Sequence, residues 1–154
     1  MSLADYALQV AIQMEQLGHT FYESLAASRG DWKISLIAVK LAEDELEHLR
    51  TFENMRNALP DDQRGPKMTD DQITAAAGKF HKLILPTASQ VRRVALSSDR
   101  KEVLQMAIKM ETDSIAYYKN LLSAVGKEAA ILKKVIDEEK KHIKTLRDCL
   151  KQIG

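Results

Sequence analysis

Cysteine occurs once in the chain, at Cys149, which excludes an internal disulfide and any four-cysteine iron or zinc site within it. Its spacing with Leu146, Leu150 and Ile153 makes it a small residue on an apolar helix face. Chain breakers are also scarce: the 154 residues contain 6 glycines and 3 prolines, and aromatics make up 5%. What remains is rich in Ala, Leu, Ile, Lys and Glu, which favours helices. Charge of one sign is missing too. With 23 basic against 22 acidic residues the net charge is +1, so there is no one-signed footprint for nucleic acid or a membrane surface. The lysines at 133, 134, 140, 141 and 144 alternate with acidic and apolar residues and read as a solvated helix face. The amino terminus has no basic segment followed by an apolar run, so the expectation is a cytoplasmic protein without a secretory signal.

The residues that are present follow a helical period almost throughout, and the few breakers divide them. Ser2 with Asp5 can cap a first helix to about Ser28. Gly30 ends it, and Asp31 can cap a second helix that stops near Leu59 and Pro60. Thr69 and Gln72 form a capping-box pattern for a shorter helix to about Ile84, and Pro86 opens another short piece. Ser97, Ser98 and Asp99 cap a third long helix from about Arg100 to Val125, which Gly126 ends. The last long helix spans about Lys127 to Lys151. No stretch alternates with period two for long enough to form a strand.

Short links make helical hairpins of residues 3–59 and 99–152, and the long segment 60–98 can cross the length of a bundle. The expected fold is therefore all-α: residues 1–154 as one antiparallel four-helix bundle of the ferritin-like kind, two hairpins joined by a long crossover containing short helices.

The hairpins repeat one another. Leu8, Gln9, Ala11, Ile12, Met14 and Glu15 recur 96 positions later as Leu104, Gln105, Ala107, Ile108, Met110 and Glu111, and Tyr22 and Leu25 recur as Tyr118 and Leu121. In the second helix of each pair the offset is 94, matching Lys40, Glu45, His48 and Thr51 with Lys134, Glu139, His142 and Thr145. Steps of three and four put each glutamate in the middle of an apolar stripe. Helix one carries Leu8, Ile12, Glu15, His19, Tyr22 and Leu25. In helix two, Leu41, Glu45, His48 and Phe52 share a face. Helix three has Ile108, Glu111, Ile115 and Tyr118, and helix four has Val135, Glu139, His142 and Leu146.

Four buried carboxylates would cost several kcal/mol each unless paired or bound to metal. No lysine or arginine falls on the stripes at that level. Two divalent ions balance four negative charges, and His48 and His142 add neutral nitrogen ligands. Oxygen-rich donors with one imidazole per metal suit iron or manganese. A glutamate from each of two helices, with Glu-x-x-His from each of the other two, is the dimetal carboxylate pattern of bundle proteins. The predicted metal ligands are Glu15, Glu45, His48, Glu111, Glu139 and His142. His19, one turn after Glu15, is expected to be a partly buried polar residue near the site, and His81 to lie on the surface.

At these residues the sequence resembles the rubrerythrin family in its ferritin-like diiron domain. The resemblance is carried by Met14-Glu15 with Phe21-Tyr22, by Ala42 through His48, by Met110-Glu111 with Tyr117-Tyr118, and by Asp137 through His142. It implies two iron ions in an Fe-O-Fe type site, replaceable by manganese or zinc, with Glu45 and Glu139 bridging and Glu15 and Glu111 terminal. It also implies that Tyr22 and Tyr118 hydrogen-bond ligand carboxylates. The implied activity is reduction of hydrogen peroxide or dioxygen, with ferroxidase or iron handling as the alternative. Members of that family end in a cysteine-held rubredoxin-like domain, absent here, so the implied electron donor is external, such as a rubredoxin-like protein. They also carry a further glutamate where this chain has Ser114. Gly18 is the symmetric position in helix one. The resemblance further implies a homodimer or larger assembly.

Overall fold

The computed structural model describes residues 2–28 and 30–153, and among them there are helices and turns but no strands. The helices are α1 (Leu3–Ala27), α2 (Trp32–Asn57), α3 (Asp70–His81), α4 (Ala88–Ala95), α5 (Arg100–Val125) and α6 (Ala129–Ile153). The first five start where the sequence supplies an acceptor for their free N–H groups. Ser2 accepts from the Asp5 amide, Asp31 from Lys33 and Asp99 from Glu102. Thr69 with Gln72 and Thr87 with Gln90 form complete capping boxes.

Three ends differ from expectation, for local reasons. α2 stops at Asn57 rather than at Leu59, because the ring of Pro60 disfavours helical geometry at the residue before it. α3 stops at His81 rather than at Ile84. Lys82 adopts the left-handed conformation (φ 52°, ψ 29°), and the amides of Lys82 and Leu83 both close on the Ala77 carbonyl, a left-handed ending built without glycine. α6 begins at Ala129 after a 3-10 turn over Gly126–Glu128. Gly126, at φ 56° and ψ −114°, takes a backbone shape closed to residues with a Cβ, and so it ends α5.

Contacts between helices fix their directions. Asp5 meets Arg56 and His19 meets Ala42, so α1 and α2 run antiparallel. Tyr22 meets Glu111 and Tyr118 meets Glu15, so α1 and α5 do as well. His48 with Glu138 and Asp44 with His142 give the same relation between α2 and α6. The result is an up-down-down-up bundle whose crossover, residues 58–99, must travel its full length. α4 packs across α1 on the way. The core is continuous from Leu8 and Leu104 through Phe21 and Phe52 to Leu132 and Leu146. Cys149 is half-buried and packs against it. Among the described residues, no helix is long and apolar enough to cross a membrane.

A polar knot anchors the start of the crossover. Asp5 is fully buried, and its carboxylate accepts from Arg56 Nε at 2.6 Å, Gln9 Nε2 at 3.0 Å and the Gly65 amide at 3.1 Å. Gln9 also accepts from the Met68 amide at 2.7 Å, and Arg56 donates to the Gly65 carbonyl at 2.6 Å. Removing one partner of a buried pair strands the other charge, at about 3–5 kcal/mol. Asp5→Ala is therefore expected to lower the unfolding free energy by about 3 kcal/mol in a denaturant titration. A loss below about 1 kcal/mol would show the knot to be incidental.

Candidate metal centre

The six predicted ligands meet in the middle of the bundle. Glu15, Glu45, His48, Glu111, Glu139 and His142 are all buried, each coming from the stripe face of its helix. They form two overlapping quartets, Glu15–Glu45–His48–Glu139 and Glu45–Glu111–Glu139–His142, in each of which one donor atom per residue lies within 4.8 Å of the others. Glu45 and Glu139 belong to both. The two imidazoles lie 6.1 Å apart between ring centres and 27° from parallel.

The tyrosines tie the hairpins together crosswise. Tyr22 Oη donates to Glu111 Oε1 and Tyr118 Oη to Glu15 Oε1, each at 2.7 Å. Each tyrosine thus serves the glutamate of the other hairpin, although it follows its own hairpin's glutamate in sequence by two helical turns. Burial, reinforced by the surrounding glutamates, raises both phenols well above their ordinary pKa, so both remain donors. The remaining oxygens, Glu15 Oε2 and Glu111 Oε2, are buried without a hydrogen-bond partner. An orphaned carboxylate oxygen in a core is costly, and a cation between the glutamates satisfies it. The residues fit a pair of metal ions.

Each histidine is held at its outer nitrogen. His48 Nε2 lies 2.7 Å from Glu138 Oε2, and His142 Nε2 lies 3.0 Å from Asp44 Oδ2. Both Nδ1 atoms face inward, His48 at 2.8 Å from Glu139 Oε1 and His142 at 3.3 Å from Glu111 Oε1. An outer carboxylate that accepts a hydrogen bond from Nε2–H fixes the tautomer with Nδ1 free to bind metal. Sequence reasoning had not singled out Asp44 and Glu138. The signal was present: each directly precedes a Glu-x-x-His motif, and both are acidic at the 94-residue offset. Lys40 in turn pairs with Asp44. His19 is half-buried, with Nδ1 at 3.0 Å from the Ala42 carbonyl, and belongs to neither quartet. His81 is exposed, stacked on Tyr6.

The fold is that of a ferritin-like bundle. The rubrerythrin family model matches residues 102–154, which include Glu111, Glu139 and His142. Over its whole length the chain is similar to a crystal structure from Thermotoga maritima assigned as a ferritin-like diiron-carboxylate protein. The identity is 27%, the match covers 100% of this chain and 97% of that one, and the TM-score is 0.76. No curated protein sequence gives a significant match. The rubrerythrin-like match falls on the second hairpin, and the internal repeat carries the same residue pattern into the first.

Without metal the centre is held by protons. Burial, and then the nearby Glu139 charge, raises Glu15. Burial raises Glu45 further, with Glu139 and Glu15 adding to the effect. Burial also disfavours charged His48 and His142, but hydrogen bonds to Glu139 and its neighbours outweigh it, pushing His142 up to about 10 and His48 higher still. At Glu139 burial likewise opposes the charge, and hydrogen bonds from His142 and His48 overcome it and lower the pKa.

His142, raised from 6.5, gives stability that is complete below pH 6.5 and lost as pH rises through about 10. Glu15 and Glu45, raised from 4.5, work against folding as pH climbs above 4.5. The lowered carboxyl of Glu139 contributes stability that is lost only in acid. The metal-free protein is expected to melt at progressively lower temperature from about pH 7 to about pH 10, and bound divalent metal, which needs deprotonated ligands, to reverse that trend. A metal-free melting temperature that stays flat or rises over this range would contradict the assignment of charges.

Proposed function

We propose that the chain is a diiron oxidoreductase that reduces hydrogen peroxide or dioxygen with electrons from an external one-electron donor protein, such as a rubredoxin-like one. The observation that carries this reading is the pair of quartets sharing Glu45 and Glu139, each with one histidine. Glu15, Glu45, His48 and Glu139 would hold one iron, and Glu45, Glu111, Glu139 and His142 the other, with Glu45 and Glu139 common to both. When bound, two adjacent irons supply the two electrons that cleavage of an O–O bond requires.

The chain's own residues prepare that chemistry. Tyr118 and Tyr22 take up one oxygen of Glu15 and Glu111, leaving Oε2 of each as a single directed donor. Glu138 and Asp44 orient the imidazoles, and Leu8, Leu104, Phe52 and Leu146 belong to the apolar core that shields the centre from bulk water. Pairing of two copies belongs to the same reading. It is supported by the exposed apolar residues Trp32, Leu36 and Val39, which follow one another on the outer face of α2.

Ferroxidase or iron handling is the second reading. Gly18 and Ser114 beside Glu45 and Glu111 favour it, because neither adds a further carboxylate to retain iron after oxidation.

Metal stoichiometry tests the site residue by residue. Glu45→Ala or Glu139→Ala is expected to abolish binding of both ions, and Glu15→Ala or Glu111→Ala to leave about one per chain, by elemental analysis after anaerobic ferrous loading. Glu45 and Glu139 variants that retain two ions would remove the bridging assignment. Stopped-flow mixing of the diferrous protein then separates the readings. Oxidation at least about tenfold faster by peroxide than by oxygen supports the reductase. Faster oxidation by oxygen with continued iron uptake supports the ferroxidase.

A further inference from the structure

On the side of the cluster away from the two histidines, α1 and α5 do not close completely. A cavity of about 10 Å³ lies there, walled by Met14, Gly18, Tyr22, Glu45, Met110, Glu111 and Ser114. Beyond it a second cavity of about 30 Å³ is lined by Leu17, Ile84, Leu85, Pro86 and Asp113 together with Met14, Met110 and Ser114 again. The inner space touches two of the predicted ligands. The outer one ends at the crossover, where Ile84 is 85% exposed. The three shared residues are the partition between them.

The partition lies on the quasi-symmetry of the molecule. Met14 and Met110 are one repeat pair, and Gly18 and Ser114 the pair one turn further on, both at the offset of 96. Methionine has three flexible torsions and no branch, so two facing methionines can part without moving the backbone. Ser114 puts a hydroxyl at the waist, beside the two methionines. Gly18 keeps its inner end open: a Cβ at that position would sit 3.4 Å from Glu45 Cδ and Oε2, an ordinary contact distance, in the place where the cavity now is.

We propose that this passage is the entry path of the oxidant and restricts it by size. The inner cavity at rest has room for about one water-sized group, so dioxygen or hydrogen peroxide passes when Met14 and Met110 part, and branched alkyl hydroperoxides are rejected. Gly18 and Ser114 set its width, and Met14 and Met110 are its gate. The inference rests on the dimetal reading above, and its test is separable from that reading.

The experiment uses the full chain loaded with cobalt(II), whose visible absorption reports coordination without turnover, and azide as a small coordinating probe. Wild type is expected to bind two cobalt ions and to show a saturable spectral change with azide. Gly18→Ala is expected to keep two ions per chain and to weaken azide binding by about tenfold or more, since added bulk in a closely fitted space excludes the probe. In the iron form, wild type should react with hydrogen peroxide at least about tenfold faster than with tert-butyl hydroperoxide, and Met110→Ala should narrow that ratio. Gly18→Ala that retains two ions and binds azide as tightly as wild type would overturn the passage and leave the metal centre standing. Wild type that fails to bind two ions would overturn the metal centre, and the passage with it. If Gly18→Ala itself loses metal, Ser114→Thr decides: it adds a methyl at the waist and keeps the hydroxyl, and unchanged azide affinity in that variant overturns the proposal.

Discussion

A carboxylate in an apolar core is the interaction on which the rest of this molecule turns. Glu15, Glu45, Glu111 and Glu139 sit among leucines, tyrosines and phenylalanines, with exposures of 1–3%. Among the described residues no lysine or arginine pairs with any of them; their ion-pair partners are His48 and His142. Desolvation of each ion costs several kcal/mol, so neutrality has to come from protons or from cations. The two raised histidines and the raised carboxyls of Glu15 and Glu45 are the proton solution, and the overlapping quartets are the cation solution. The same atoms serve both, and this links metal affinity to pH.

The second constraint is that neither hairpin completes a centre alone. Glu15 is held by Tyr118, Glu111 by Tyr22, His48 by Glu138 and His142 by Asp44, and every one of these bonds crosses from one hairpin to the other. The bundle's antiparallel register is thus written into the site. Sliding one hairpin by a turn, about 5.4 Å, would break all four ties together. Asp5, Arg56 and Gln9 do the corresponding work at the bundle's end by fixing where the crossover departs.

Much of this was legible in the residues themselves. Periodicity of three and four located the helices, and the 96- and 94-residue offsets placed a glutamate at mid-stripe in each. The buried cluster follows from those two facts. Helix ends were less legible, because Lys82 in a left-handed turn carries no compositional mark, whereas Gly126 does. The partners Asp44 and Glu138 look like solvated acids beside lysines in a one-dimensional reading; only the packing of α2 on α6 turns them toward the histidines. Nor could spacing tell that each tyrosine reaches across to the other hairpin, since its own glutamate lies two turns away on the same face. The network around Asp5 read as nothing more than a helix start.

Glu45 and Glu139 are placed to be shared by two ions. Anomalous diffraction at the iron absorption edge, from crystals of the iron-loaded protein, addresses that sharing directly. Two peaks are expected about 3.5–4 Å apart, one beside His48 Nδ1 and one beside His142 Nδ1, with both glutamates between them. A single peak, or peaks outside the two quartets, would contradict it.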